Sequence, residues 1–169
     1  RFVQTGSAPM FTIWSYENRP RWNLSLNDNL FRGTIEVRKN DRNDYVWVIN
    51  ELPIEQYLRG MAETSDVSPE EFKKALAVAA RTYAYWHYAH PGKHWHFTVD
   101  ATYDQVYRGY GAEIRLPKWS AAVSATRGQI ATYNGEHVVT PYFTWSDGRT
   151  RAWTEVWGGG AKPWLVSVP

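Results

Sequence analysis

The sequence contains no cysteine, so disulfide bridges, thiolate metal ligands and cysteine nucleophiles are all excluded. It also lacks an apolar run long enough to cross a bilayer, and no signal-peptide pattern is visible. The formal net charge of +2 is too small to indicate nucleic-acid binding. What remains is a globular chain of 169 residues, 43% hydrophobic, which fits a single domain over residues 1–169.

Aromatic residues are abundant, with 10 Trp and 11 Tyr. These side chains combine a flat apolar face with a polar tip, which suits the C–H faces and polar rims of sugar rings. For any single Trp, packing in the protein core is a better explanation than sugar binding. As a set, the aromatic residues favour a carbohydrate partner.

The spacing of apolar residues predicts an α+β fold, with mixed strands and hairpins around one buried central helix at about residues 69–88 and short flanking helices. Strands are expected in the ranges 11–16, 30–38, 45–49, 97–99, 105–107, 129–133 and 137–145. Asn134-Gly135 predicts a tight hairpin turn. The tail, residues 145–160, has the composition of a loop.

Three helices are expected. Pro53 can begin a short one, with Ile54, Tyr57, Leu58 and Met61 on one face and Glu63 near its end. Ser68, Pro69 and Glu71 form a capping-box pattern before the central helix, whose stripe is expected to comprise Phe72, Leu76, Ala79, Tyr83 and Trp86. The third helix is expected at residues 117–126.

Arg81 lies in the middle of this Ala-rich central helix. A buried guanidinium is costly unless it is paired or hydrogen-bonded. Two roles remain open from the sequence. Arg81 either holds loop carbonyls or a carboxylate, or it contacts a substrate.

Four histidines occur close together, at positions 87, 90, 94 and 96. Their spacing is compatible with zinc, but no HExxH pattern is present, and we favour aromatic packing. Ser146 and Asp147, with His137 elsewhere, do not form a hydrolase triad pattern, since no GxSxG motif occurs. The polar turn 146–150, flanked by Trp145 and Trp153, is typical of a sugar-binding rim.

Taken in order, several segments resemble the stage II sporulation protein D family, which includes amidase-enhancer proteins. They are residues 31–37, 48–60, 75–84 (ALAVAARTYA), 105–109 (QVYRG), 126–129, 133–135, 146–150 and 156–159 (VWGG). The resemblance is clearest over residues 33–168. It implies lytic transglycosylation of peptidoglycan and places the family's catalytic glutamate at Glu63 and its helix arginine at Arg81, which we do not expect to pair directly with Glu63.

The implied chemistry requires only one carboxyl group. Glycoside hydrolysis usually uses two, whereas here the C6 hydroxyl of the muramyl sugar attacks the anomeric carbon and leaves a 1,6-anhydro end. Glu63 would protonate the glycosidic oxygen and then accept the C6 proton, so it must start as the neutral acid, which burial favours. Tyr103 and Asp104 occupy the positions where some members have a zinc-binding His and Cys, so no metal or other cofactor is expected.

The resemblance leaves a second hypothesis, a non-catalytic wall-binding module that activates an amidase. A third hypothesis, a structural scaffold within an assembly, ranks last because the sequence shows no coiled coil and no interaction patch. The expected partners are peptidoglycan glycan strands and a cell-wall amidase or other wall-remodelling protein, outside the cytoplasm, with an export signal or anchor upstream of Arg1. The candidate substrate-binding residues are Arg81, Lys74, Tyr142, Trp145, Ser146, Asp147 and Arg149.

Overall fold

The computed structural model describes residues 2–3, 10–94 and 96–169, and confirms an α+β fold. The strands are β1 (Phe2–Val3), β2 (Phe11–Thr12), β3 (Leu30–Phe31), β4 (Thr34–Lys39), β5 (Val46–Glu51), β6 (Thr132–Tyr133) and β7 (Glu136–His137). The helices are α1 (Ile54–Arg59), α2 (Glu70–Ala89), α3 (Tyr110–Arg115), α4 (Pro117–Ala125) and α5 (Trp153–Val156). No helix among the described residues is both long enough and apolar enough to span a membrane.

The main sheet is built on the predicted hairpin of β4 and β5. These strands pair antiparallel with Ile35 opposite Asn50, and β1 pairs with the other edge of β4. The Asn40 N–H donates to the Tyr45 carbonyl at 2.9 Å and closes the turn. The chain leaves β5 at Glu51 and enters α1 within three residues, so the sheet directly positions the short helix.

The apolar residues that the central helix α2 buries most completely are alanines rather than the larger residues of the expected stripe. Ala77 and Ala80 are fully buried, whereas Phe72 is 53% exposed. The two alanines form one core cluster with Leu58, Met61, Trp119 and Val123. Of the predicted stripe, Leu76 packs at the margin of this cluster and Phe72 does not. The centre of the contact lies instead where α2 carries alanines, because methyl groups allow the axes of α1 and α4 to approach closely.

Several local expectations also differ. Ser68 does not cap α2, since its hydroxyl bonds the Thr64 hydroxyl at 2.9 Å and the cap position has no side-chain hydrogen bond. The first helix ends at Arg59, so Met61 and Glu63 lie beyond it. Sequence patterns missed α3 and α5, and no strand forms at 97–99 or 105–107. The tight turn at Asn134-Gly135 is confirmed by φ values of 51° and 82°, although its strands have only two residues each.

Candidate active site

The segment that carries Glu63 is held against residues 106–108. The Arg108 N–H donates to the Gly60 carbonyl at 2.8 Å, the Ala62 N–H donates to the Val106 carbonyl at 2.9 Å, and an antiparallel bridge joins Met61 to Tyr107. A Cβ at Gly60 would lie 2.5 Å from the Tyr107 ring, so this approach requires glycine. The position of Glu63 therefore depends on a backbone pairing between segments distant in sequence.

Glu63 is half-buried, and two neutral donors bind one of its oxygens. The Val106 N–H donates to Oε1 at 2.6 Å, and the Tyr142 hydroxyl donates to the same atom at 3.2 Å. Within the described part of the chain, no residue donates to Oε2 and no cation pairs with this carboxylate. The protein therefore holds Oε1 of this carboxyl through two hydrogen bonds, and it does not hold Oε2 in the same way.

A buried amide lies behind this pair. Gln105 is 1% exposed and donates through Nε2 to the Ala80 carbonyl at 3.1 Å and to the Tyr142 hydroxyl oxygen at 3.0 Å. Its Oε1 accepts from the Tyr57 hydroxyl at 2.8 Å. The ring of Tyr57 stacks on that of Tyr107, with centroids 5.2 Å apart. The network thus joins α1, α2 and the segment after β7 to Glu63.

Tyr57 and Tyr142 stay protonated at neutral pH because their pKa values are raised. Burial is the main cause of the raised pKa of Tyr142, and the nearby Glu63 carboxylate raises it further. Burial also raises the pKa of Tyr57 well above its ordinary value, with a smaller contribution from Tyr142. Both hydroxyls can therefore act as neutral hydrogen-bond donors.

The loop after Glu63 is fixed to the helix core through Asp66. Its Oδ1 accepts from the backbone N–H of Trp119 in the first turn of α4, at 2.9 Å. Its carbonyl accepts from the Nζ of Lys73, which is 2% exposed, at 2.8 Å. The indole N–H of Trp119 donates to the Leu58 carbonyl at 2.8 Å. Helices α1, α2 and α4 thereby position both ends of the segment containing Glu63.

The contacts of Arg81 match the first of its two possible roles, that of holding a carboxylate and loop carbonyls. Its guanidinium binds both oxygens of Glu55 at 2.9 and 3.0 Å, and also donates to the carbonyls of Val123 and Gln129 at 3.0 and 3.1 Å. With 2% of its surface exposed, Arg81 offers little surface to a ligand and, as expected, does not pair with Glu63. Burial opposes ionisation of Glu55, but bonds from Arg81 and the Gly128 N–H outweigh it and lower its pKa.

Asp104 forms a second polar cluster beside Gln105. Its carboxylate is 4% exposed and bonds Lys93, His94 and the Asp100 N–H. Burial opposes its ionisation, but these bonds, with that of Asp100 the largest, outweigh it and lower its pKa to about 2. Asp104 is therefore already engaged by its own partners.

The four histidines pack separately. The ring of His87 meets the edge of the Tyr83 ring, with centroids 4.5 Å apart. His90 stacks on Trp86 and His94 stacks on Phe97, with centroid distances of 4.4 and 4.5 Å. The Nδ1 of His96 lies 2.9 Å from a guanidinium nitrogen of Arg38. Across residues 2–3, 10–94 and 96–169, no group of three His, Asp or Glu side chains has metal-binding geometry. A cavity of about 230 Å³ lies beside His87 and His94, and Glu63 does not line it.

Of the substrate-binding candidates, the structure brings Tyr142 directly to Glu63. Lys74 lies in the first turns of α2, bonded to Glu70 and Glu71, and these bonds raise its pKa to about 12. Trp145 is 80% exposed, three residues after Tyr142. Asp147 pairs with Arg151, while Arg149 bonds Glu155 and Ser167. Substrate contact by these residues and by Ser146 stays a prediction.

The family model for SpoIID, described as stage II sporulation protein, matches residues 42–133, just over half of the chain. The chain belongs to the SpoIID family. An uncharacterised protein of Brachyspira hyodysenteriae is 38% identical to it over 130 residues, covering 75% of the chain and 34% of that protein. Stage II sporulation protein D of Bacillus subtilis is 30% identical over 137 residues, covering 71% of the chain and 39% of that protein.

A third relative is the amidase enhancer of Bacillus subtilis, 35% identical over 97 residues, which are 57% of the chain and 12% of that protein. The chain thus spans well under half the length of these SpoIID relatives. The comparisons confirm the resemblance recognised in the sequence. The match to the family model contains Glu63, Arg81 and Gln105 and ends before Tyr142.

Sequence reasoning missed the roles of Gln105, Tyr57 and the Val106 N–H. The QVYRG segment was recognised as a family motif, yet nothing in its pattern shows that Gln105 lies under Tyr142. A polar residue followed by two β-formers is equally typical of an edge strand. In this SpoIID chain, only the packing of residues 105–107 against α1 and α2 reveals the site.

Proposed function

We propose that this SpoIID chain is a lytic transglycosylase that cleaves the glycosidic bond between N-acetylmuramic acid and N-acetylglucosamine in peptidoglycan strands. The observation that carries the proposal is Glu63, a half-buried carboxyl with one oxygen bound by neutral donors and the other without a described partner. Such a group is suited to general acid and base chemistry because its free oxygen can exchange a proton with a ligand.

In the proposed reaction Glu63 donates its proton to the glycosidic oxygen as the bond to C1 of the muramyl residue breaks. The C6 hydroxyl of the same sugar attacks C1, and its proton passes to the Glu63 carboxylate. The products are a 1,6-anhydro end and a free hydroxyl on the departing sugar. No water is consumed, and Glu63 regains its starting proton.

The surroundings of Glu63 favour this single-acid route over hydrolysis with two carboxylates. A hydrolase needs a second carboxyl group to act as nucleophile or to activate water. Asp104 is the acid nearest in sequence to the Glu63-binding segment 105–106, and it is buried and bonded to Lys93 and His94. Exposed Trp145 supplies an apolar face for a sugar ring on the chain segment that also carries Tyr142.

The test incubates the full 169-residue chain with purified glycan strands, and mass spectrometry identifies the soluble products. We expect anhydro-muramyl ends from the unmodified chain and a loss of about 10²-fold or more in Glu63→Gln, since acid–base catalysis typically contributes that much. Glu136→Gln, at the exposed start of β7, is the matched control. Unchanged product release by Glu63→Gln, or products with reducing ends, would contradict the proposal.

A second candidate follows from the relative named amidase enhancer. On this proposal the chain binds the wall and increases the activity of a cell-wall amidase without cleaving glycan. A sedimentation assay with purified wall, run beside the product analysis, separates the two functions. Binding without anhydro products, unaffected by Glu63→Gln, supports the binding module, and either function places the chain outside the cytoplasm.

A further inference from the structure

The orientation of the Gln105 side chain is determined by its neighbours. The Ala80 carbonyl can only accept a hydrogen bond, so the amide group facing it at 3.1 Å must be the NH₂ group. The opposite orientation would place two carbonyl oxygens against each other. With this choice, the second N–H of Gln105 points to the Tyr142 oxygen at 3.0 Å, and the amide oxygen accepts from Tyr57.

The orientation of Gln105 also determines what Tyr142 does. Because its oxygen accepts a hydrogen bond from the Gln105 amide, its own proton points elsewhere, and the described acceptor within reach is Oε1 of Glu63 at 3.2 Å. The Val106 N–H donates to the same oxygen at 2.6 Å. Oε1 is therefore a double acceptor, as the carbonyl oxygen of a neutral acid can be.

We infer that Gln105 is a positioning residue that, through Tyr142, assigns the transferable proton of Glu63 to Oε2. A proton on Oε1 would face two donors and would break at least one of their bonds. This inference rests on the proposed function, because it specifies which oxygen exchanges the proton with the glycan. The burial of Gln105 keeps water from replacing its bond to Tyr142.

Two variants test the inference. Tyr142→Phe removes the hydroxyl, and Gln105→Met keeps a side chain of similar length but removes the donor that orients Tyr142. We expect each to lower kcat about fivefold to tenfold, the effect of one hydrogen bond, with KM changed less than about twofold. Tyr133→Phe, in the exposed β6 strand, is the matched control.

The double variant provides the decisive kinetic comparison. If Gln105 acts through Tyr142, adding Gln105→Met to Tyr142→Phe causes no further loss of kcat. If the two losses multiply, or if the variants raise KM alone, the inference is wrong. In that outcome the unmodified chain still releases anhydro products, so the proposed function stands.

An infrared measurement tests the same inference without activity. The carbonyl stretch of protonated Glu63 is identified as the band lost in Glu63→Gln. With the proton on Oε2 and two donors on Oε1, this band should move to higher frequency in Tyr142→Phe, which removes one donor. It should move in the same direction by a smaller amount in Gln105→Met, which leaves the Tyr142 hydroxyl without the bond that orients it. An unmoved band in Gln105→Met overturns the inference, even if the unmodified chain proves to have no glycan-cleaving activity.

Discussion

Two glutamates, eight residues apart, receive opposite kinds of partner. Glu55 in α1 binds a guanidinium through both oxygens and also accepts from a backbone N–H. Glu63 binds a peptide N–H and a phenol through one oxygen. The guanidinium commits Glu55 to the ionised form and to a structural role, whereas neutral donors can bind Glu63 whether it is charged or not.

The largest loss of stability should come from Arg81→Met, which removes the cation that binds Glu55. Arg81→Met leaves the Glu55 carboxylate with the Gly128 N–H but no cation, and removes the guanidinium donor from the carbonyls of Val123 and Gln129. We expect the free energy of unfolding to fall by about 3–5 kcal/mol, as for other broken buried pairs. Urea unfolding followed by circular dichroism measures this, and a loss below about 1 kcal/mol would remove the structural role of Arg81.

A smaller loss of unfolding free energy is expected when Glu55 is neutralised. Its pKa is lowered from an ordinary value of 4.5, so ionised Glu55 stabilises the fold above that value, and this stabilisation is lost as pH falls through the folded-state pKa. Glu55→Gln should cost about 1–2 kcal/mol near pH 7. Unfolding experiments between pH 7 and about pH 3 should show this difference shrinking, and a difference independent of pH would contradict the assignment.

The smallest effect on stability is expected at Glu63. Glu63→Gln retains a carbonyl oxygen that can accept from Val106 and Tyr142, so unfolding free energy should change by less than about 0.5 kcal/mol. The same variant is expected to lose catalysis. A large loss of stability in this variant would remove the contrast between the two glutamates, because Glu63 would then also be structural.

The sequence alone supported the α+β class, the β4–β5 hairpin, the central helix and the helix at Pro117–Ala125, because each has a clear local pattern. It failed where partners are distant in the chain. Phe72 was assigned to the apolar stripe by its spacing along the helix, yet it is exposed, and the fold buries Ala77 and Ala80 where α1 and α4 approach. The capping box failed because Ser68 bonds Thr64 instead.

The candidate site shows the same division. Glu63 was identified by resemblance, since spacing and composition do not distinguish it from a solvated glutamate. The alternatives for Arg81 were known from its place in an Ala-rich helix, but its partners come from α1, the C-terminal half of α4 and the loop after α4. Gln105 had no signal beyond its motif, because its partners lie 25, 37 and 48 residues away.

The order of amino acids by itself indicated where α1, α2, α4 and the turn at Asn134-Gly135 form and where a buried charge would need a partner, since these follow from local sterics and desolvation. Only the tertiary structure decided which carboxylate receives the guanidinium and which receives the phenol. That choice depends on how residues 105–108 pair with residues 60–62, a contact between segments more than 40 residues apart.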